Sequence, residues 1–218
     1  MLLIVAATEG EMMPVRQTLG RRPDITYLLT GVGPLETCLH LTRFLGRNDR
    51  RISLVMNIGV AGAFIDGSPQ PLDLCLAARE IVGDFGICGD NVITRFDRHD
   101  LQPPIEFDLR SSFLKRAGEK FASHGMEYCQ GTFVTVNCTS GTAARGRYLR
   151  ERYQAICENM EGAAVARVCQ EFGLPCLEIR CISNMVEDRD ISKWRLAAAS
   201  AKIAAAAVLL APELLAGE

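Results

Sequence analysis

The sequence predicts an α/β fold: a three-layer α/β/α arrangement around a central mixed, mostly parallel sheet, with residues 1–218 as one domain. Three observations carry that expectation. Short apolar runs of strand length alternate with longer segments whose apolar residues recur at helical spacing. No internal repeat or low-complexity linker divides the chain. A length of 218 residues, 48% hydrophobic and 23% charged, suffices for one sizeable core and is short for two.

The first run, 2–7, is apolar but has no basic leader, and Glu9 and Glu11 follow at once, so it reads as a strand rather than a targeting segment. Further strand-like runs fall at 25–30, 52–57, 72–82, 127–136 and 175–183. Helical patterns fall between them at 11–19, 34–46, 110–123, 142–152, 161–172 and 191–211. Helices in such an order join parallel strands as right-handed crossovers. Within the last helix, 203–210 is uninterrupted and alanine-rich, yet far shorter than the roughly 20 residues of a membrane span. It is expected to be a packing helix. The stretch 84–108 breaks the alternation by mixing Gly86, Gly89, Pro103 and Pro104 with Arg95, Arg98, His99 and Asp100. A loop of that length is usually functional.

Charge and cysteine usage narrow the class of partner. With 24 basic and 26 acidic residues, the chain has no broad attraction for nucleic acid or an anionic membrane, so a small-molecule partner is expected. Nine cysteines are scattered through apolar segments without a repeated spacing, which suits a reducing cytoplasm. The histidines His40, His99 and His124 are dispersed and no Cys-x-x-Cys pair occurs, so no metal site is expected. No Gly-x-Ser-x-Gly elbow suggests a serine hydrolase.

Two glycine-bearing segments, Thr30-Gly31-Val32-Gly33-Pro34 and Asn57-Ile58-Gly59-Val60-Ala61-Gly62, each follow a strand and read as turns that can bring backbone N–H groups to a ligand. Neither completes a dinucleotide fingerprint or a Walker A loop. Polar side chains gather at other strand ends. Glu11 opens the helix after the first strand, and Glu161 opens another after Asn159-Met160. Either alone reads as a carboxylate favoured by a helix start. Two on one sheet edge can divide labour, one activating water and the other holding a sugar hydroxyl. Asn184 closes the run Arg180-Cys181-Ile182-Ser183-Asn184. Taken alone it reads equally as a turn residue, but a side-chain amide also accepts from a protonated purine N7 while donating to a 6-oxo group. An aspartate would suit a 6-amino purine instead.

These segments, in this order, resemble the nucleoside phosphorylase and nucleosidase superfamily over nearly the whole chain. The phosphorylases of that superfamily carry a phosphate-binding Gly-Asp-Pro-x-Arg near the first helix, where this chain has Ala7-Thr8-Glu9-Gly10-Glu11 and no arginine. The resemblance therefore implies hydrolysis rather than phosphorolysis. The segment from Ile182 to Asp190, with Trp194, is most similar to the futalosine-hydrolysing branch, which releases hypoxanthine on the futalosine route to menaquinone. Nucleosidases for methylthioadenosine and adenosylhomocysteine have aspartate at the place of Asn184; they are the first alternative, and a silent nucleoside-binding protein is the second.

Position by position, the resemblance implies that Glu11 activates water, Glu161 binds the ribosyl hydroxyls and Met160 packs on the sugar. Asn184, oriented by Ser183, holds the purine. Gly31, Ala61 and Gly62 are expected substrate contacts, as are Val136, Asn137 and Cys138, where Cys138 replaces the family's stacking aromatic. Arg98, Arg189 and Phe107 are assigned to the carboxyphenyl arm of the substrate. No cofactor is implied. A homodimer is, with Pro103, Pro104 and Phe107 near the neighbour.

Overall fold

In the computed structural model, residues 1–47, 51–67, 69–89 and 92–216 are described. The chain runs β1 (Leu2–Ala6), α1 (Glu9–Leu19), β2 (Ile25–Leu29), α2 (Pro34–Arg47), β3 (Leu54–Phe64) and β4 (Leu74–Val82). Three short strands follow, β5 (Ile87–Cys88), β6 (Ile93–Thr94) and β7 (Glu106–Asp108). The rest is α3 (Ser112–Ser123), β8 (Tyr128–Thr135), α4 (Ala143–Tyr153), β9 (Ala155–Asn159), α5 (Gly162–Glu171), β10 (Cys176–Val186) and α6 (Leu196–Leu215).

The main sheet has the order β10-β4-β8-β9-β3-β1-β2, and β7 pairs on β4. Its contacts are parallel except at β10–β4, β3–β9 and β4–β7. The eleven-residue strand β10 pairs with both β3 and β4, so the sheet curls and closes on itself, leaving β1 and β2 as an extension.

Alternation along β1 sends Leu2, Ile4 and Ala6 to one face and Leu3 and Val5 to the other, because successive strand residues point to opposite sides. The first face packs on Met12 and Val15 of α1 and on α6. The second packs on Ala163, Val165 and Val168 of α5. Sheet and flanking helices make the three layers. By length and composition α6 is apolar enough to cross a membrane, exceeding the 203–210 run through its neighbouring turns. It lies on the sheet instead, with Ala199, Ile203, Ala206, Ala207 and Leu210 fully buried. Burial of Ile203 and Leu210 contributes about 1.5–3 kcal/mol each.

Five expectations change. The segment 57–62 is the interior of β3, not a turn, and Asn184 lies inside β10 rather than at its end. Residues 155–159, expected to form no element, are β9, held between β3 and β8. The 84–108 stretch contains the β5–β6 hairpin and β7 rather than an open loop. The final helix starts at Leu196, after a single 3₁₀ turn at Ile191–Lys193.

Candidate active site

A cavity of about 200 Å³ opens where the ends of β1, β9 and β10 meet the middle of β3. Its walls include Glu11, Ala61, Gly62, Met160, Glu161, Ser183 and Asn184, so most of the expected substrate contacts converge. Glu158, Ser140, Val32 and Trp194 complete much of the surface.

Glu11 reaches back from the first turn of α1. Its Oε2 accepts from the backbone N–H and the hydroxyl of Thr8, at 3.0 and 2.8 Å, as an N-terminal carboxylate is apt to do. Its Oε1 accepts from the Val60 N–H at 3.0 Å and so ties the helix to β3. Gly59 explains how it comes so close: a Cβ there would lie 2.4 Å from Arg180 Nη1 and 2.8 Å from Glu11 Oε1. The glycine sequence that resembles a turn is a strand on which two side chains rest.

Glu161 stands at the N-cap of α5 without capping it. Asn159 Oδ1 accepts from the N–H groups of Glu161 and Gly162 at 2.9 and 2.7 Å, which leaves the Glu161 carboxylate for the cavity. Glu161 Oε1 accepts from the Gly33 N–H at 3.1 Å, and Oε2 accepts from Arg180 Nη1 at 3.3 Å. The Gly31–Gly33 turn thus reaches the site through Gly33 and the Val32 side chain, while Gly31 stands behind the wall against Glu36.

Arg180 is fully buried beneath this pair of acids. Its Nε donates to Glu178 Oε1 at 2.9 Å, and its Nη2 donates to Asn159 Oδ1 at 3.3 Å. Burial alone would lower its pKa, but the carboxylates of Glu178, Glu161 and Glu11 together raise it, so the guanidinium stays charged. Behind it, burial and then repulsion from Glu178 push Glu80 well above the usual carboxylate range. A protonated Glu80 can donate to Glu178, and it is held by Asn159 Nδ2 and the Thr135 hydroxyl at 2.5 and 2.9 Å. The sequence carries a signal for this layer: Glu178 and Arg180, two apart in an apolar strand, must share one face.

Asn184 takes its direction from a bulge. The register of β10 on β3 shifts between Ile182 and Asn184, making Ser183 the additional residue, and such irregularities re-aim side chains. Ser183 Oγ lies 3.2 Å from the Ala61 carbonyl and 2.8 Å from Asn184 Oδ1, while Asn184 Nδ2 donates to the Met185 carbonyl at 3.1 Å. One amide hydrogen and one oxygen lone pair remain for a ligand.

Other expected contacts lie elsewhere. Val136 is buried in the core around Phe64 and Leu149. Asn137 and Cys138 are drawn to Asp84, whose Oδ2 accepts from both backbone N–H groups, so Thr139 and Ser140 form the wall in their place. Phe107 is buried in β7 opposite Glu80, and Arg98 is paired with Asp100 on the surface. Neither lines the cavity. Pro103 lines a separate hollow with Phe85 and Phe96. Arg189 approaches only indirectly, its guanidinium 4.7 Å above the ring of Trp194, which does line the cavity.

Glu158 is a further wall residue that the strand-like runs did not single out, because β9 itself went unassigned. Its Oε1 accepts from the Ser140 N–H at 2.8 Å and its Oε2 from the Ser140 hydroxyl at 2.6 Å. Burial raises its pKa, partly offset by these two hydrogen bonds.

The curled α/β/α sheet places an acid-lined cavity at its strand ends, the position at which open α/β sheets bind their ligands. The chain belongs to the phosphorylase superfamily, whose family model matches residues 3–211. It is 34% identical over 202 residues to a futalosine hydrolase of Streptomyces coelicolor, covering 90% of this chain and 83% of that one. Over 150 residues it is 42% identical to an aminodeoxyfutalosine nucleosidase of Helicobacter pylori, covering 63% and 61%. A solved Helicobacter pylori methylthioadenosine nucleosidase mutant with 5'-methylthioadenosine in its active site superposes with a TM-score of 0.85 over 97% of this chain and 98% of that chain, at 20% identity, which establishes the shared fold.

Proposed function

We propose that this protein hydrolyses the N-glycosidic bond of futalosine, releasing hypoxanthine. One observation carries the choice of water as nucleophile. Among the described residues lining the cavity, Glu11, Glu158 and Glu161 are acidic and none is Lys, Arg or His. The nearby cation, Arg180, is already held by Glu178 and Glu161. A phosphate dianion would face carboxylates on three sides, whereas water and a developing oxocarbenium ion gain from them.

In this reading Glu11 accepts a proton from the attacking water, Glu161 holds the ribosyl hydroxyls, and Asn184 binds the departing base. The futalosine hydrolase relative supports the substrate, and Asn184 supports a 6-oxopurine. Purified protein is expected to release hypoxanthine from futalosine in phosphate-free buffer, followed by chromatography of the free base. A strict requirement for phosphate overturns the reaction class.

The aminodeoxyfutalosine nucleosidase relative favours a second reading, in which the 6-amino analogue is the substrate and adenine the product. Asn184→Asp separates the two. Exchanging an acceptor–donor amide for a carboxylate is expected to move the 6-oxo to 6-amino ratio of kcat/KM towards the amino compound by about tenfold, or roughly 1.4 kcal/mol, within the range for one mismatched hydrogen bond. An unchanged ratio removes Asn184 from base recognition.

A further inference from the structure

Three residues form a row across three neighbouring strands. In the β-sheet register Asn184 of β10 faces Gly62 of β3, and Gly62 faces Glu158 of β9. In-register neighbours project from the same face, and strands lie about 4.8 Å apart, so the two outer backbones stand roughly 10 Å from each other. The middle position has no side chain. A Cβ on Gly62 would sit 2.9 Å from Val186 Cγ2, 3.3 Å from Asn184 Nδ2 and 3.7 Å from Glu158 Cγ, so the two polar side chains flank the glycine from neighbouring strands and Val186 abuts the same space. All three residues line the cavity. The result is a slot with an amide on one wall and a carboxylate on the other.

We propose that Glu158 is a specificity-determining residue that accepts the N1–H of a 6-oxopurine while Asn184 engages N7 and O6. The inference rests on the nucleosidase reading given above. The hydrogen-bonding inventory supports it. Ser140 donates once to each Glu158 oxygen, from its N–H and its hydroxyl. Against the upward push of burial on its pKa, these donors favour the ionised carboxylate, and that form leaves each oxygen with acceptor capacity but no proton to give. A 6-oxopurine presents a donor at N1, beside the O6 acceptor. A 6-amino purine presents a lone pair at N1, which would meet the carboxylate in a buried wall with no hydrogen between them. Glu158 and Asn184 thus read adjacent positions on one edge of the base.

A merely structural Glu158 would do no more than pin the 139–140 segment, and the two roles separate experimentally. In Glu158→Gln the amide oxygen still accepts the Ser140 N–H while the amide NH₂ donates to the Ser140 oxygen, so the segment keeps its anchor. The wall facing the base then presents a donor. Two ratios are measured for wild type and variant: kcat/KM for futalosine over its 6-amino analogue, and equilibrium affinity for free hypoxanthine over free adenine. Both are expected to fall at least tenfold in the variant.

Unchanged ratios in a folded, active variant overturn the role of Glu158 and leave the nucleosidase reading intact. Wild-type protein that turns over neither nucleoside, yet shows the shift in free-base affinity, overturns the reading and leaves the base contact standing. If Glu158→Gln does not fold, Glu158→Asp retains the charge but withdraws it by one methylene. It is expected to lower the same ratios, and unchanged ratios there overturn the proposal.

Discussion

Arg180→Met is expected to destabilise the protein by about 3–5 kcal/mol, the cost typical of removing one partner of a buried ion pair. The guanidinium is 1% exposed, and it donates to Glu178, Glu161 and the Asn159 amide oxygen. Methionine fills much of the volume but leaves two buried carboxylates facing each other across an apolar gap. Glu80 offers no relief, since burial and the neighbouring Glu178 already push its carboxyl well above the usual carboxylate range. For a chain of this size the loss corresponds to a fall in Tm of roughly 6–20 °C, read by calorimetry or urea titration. Arg180→Lys is not a rescue, because an ammonium has no planar fork to reach three acceptors at once. Adding Glu178→Gln to Arg180→Met is expected to recover part of the loss by removing one stranded charge, so the two changes are non-additive. A loss below about 1 kcal/mol would place the acids in water rather than in a buried layer.

The same layer shows where sequence reasoning reached and where it stopped. Periodicity located β1, β2, β4, β8, β10 and all six helices because each shows either an apolar strand run or a helical stripe, and those signals come from the core the segment faces. It found the start of β3 in the run 52–57 but ended the strand too early, because Gly59 and Gly62 look like turn residues. They are glycines because Arg180 and Glu11 crowd position 59, and Val186 and Asn184 crowd position 62, from distant segments. It failed at β9 for a related reason: Glu158 and Asn159 make a short buried strand look polar, and only their partners Ser140 and Glu80 explain them.

The cluster of Glu11, Glu161, Ser183 and Asn184 was legible because each is a polar residue that interrupts or closes an apolar run, the two acids just past strand ends and Ser183 and Asn184 within β10. Val136, Asn137, Cys138, Phe107 and Arg98 were placed by position along the chain alone. A hydrogen bond to Asp84, a register opposite Glu80 and an ion pair with Asp100 turn the last four elsewhere. Local spacing does not encode those partners.

Glu11→Gln is expected to lower kcat by roughly 10²–10⁴-fold, the usual contribution of a general base, with KM changed little. Geometry separates Glu11 from Glu161. A proton arriving on Glu161 Oε2 would disrupt its ion pair with Arg180. Among the described residues the hydrogen-bond donors to Glu11 are neutral: the Val60 N–H, the Thr8 N–H and the Thr8 hydroxyl. The hydroxyl can rotate from donor to acceptor as the carboxylate takes a proton from water, so the transfer at Glu11 breaks no direct ion pair and weakens only its through-space attraction to Arg180. Glutamine retains the Val60 contact but turns its NH₂ towards the Thr8 donors, costing about 1–2 kcal/mol of stability for the lost acceptor. Pre-steady-state release of the base distinguishes chemistry from release steps. A variant that keeps wild-type kcat with bound substrate would assign water activation to another group, and Glu161→Gln, measured in parallel, shows whether that group is its neighbour across Arg180.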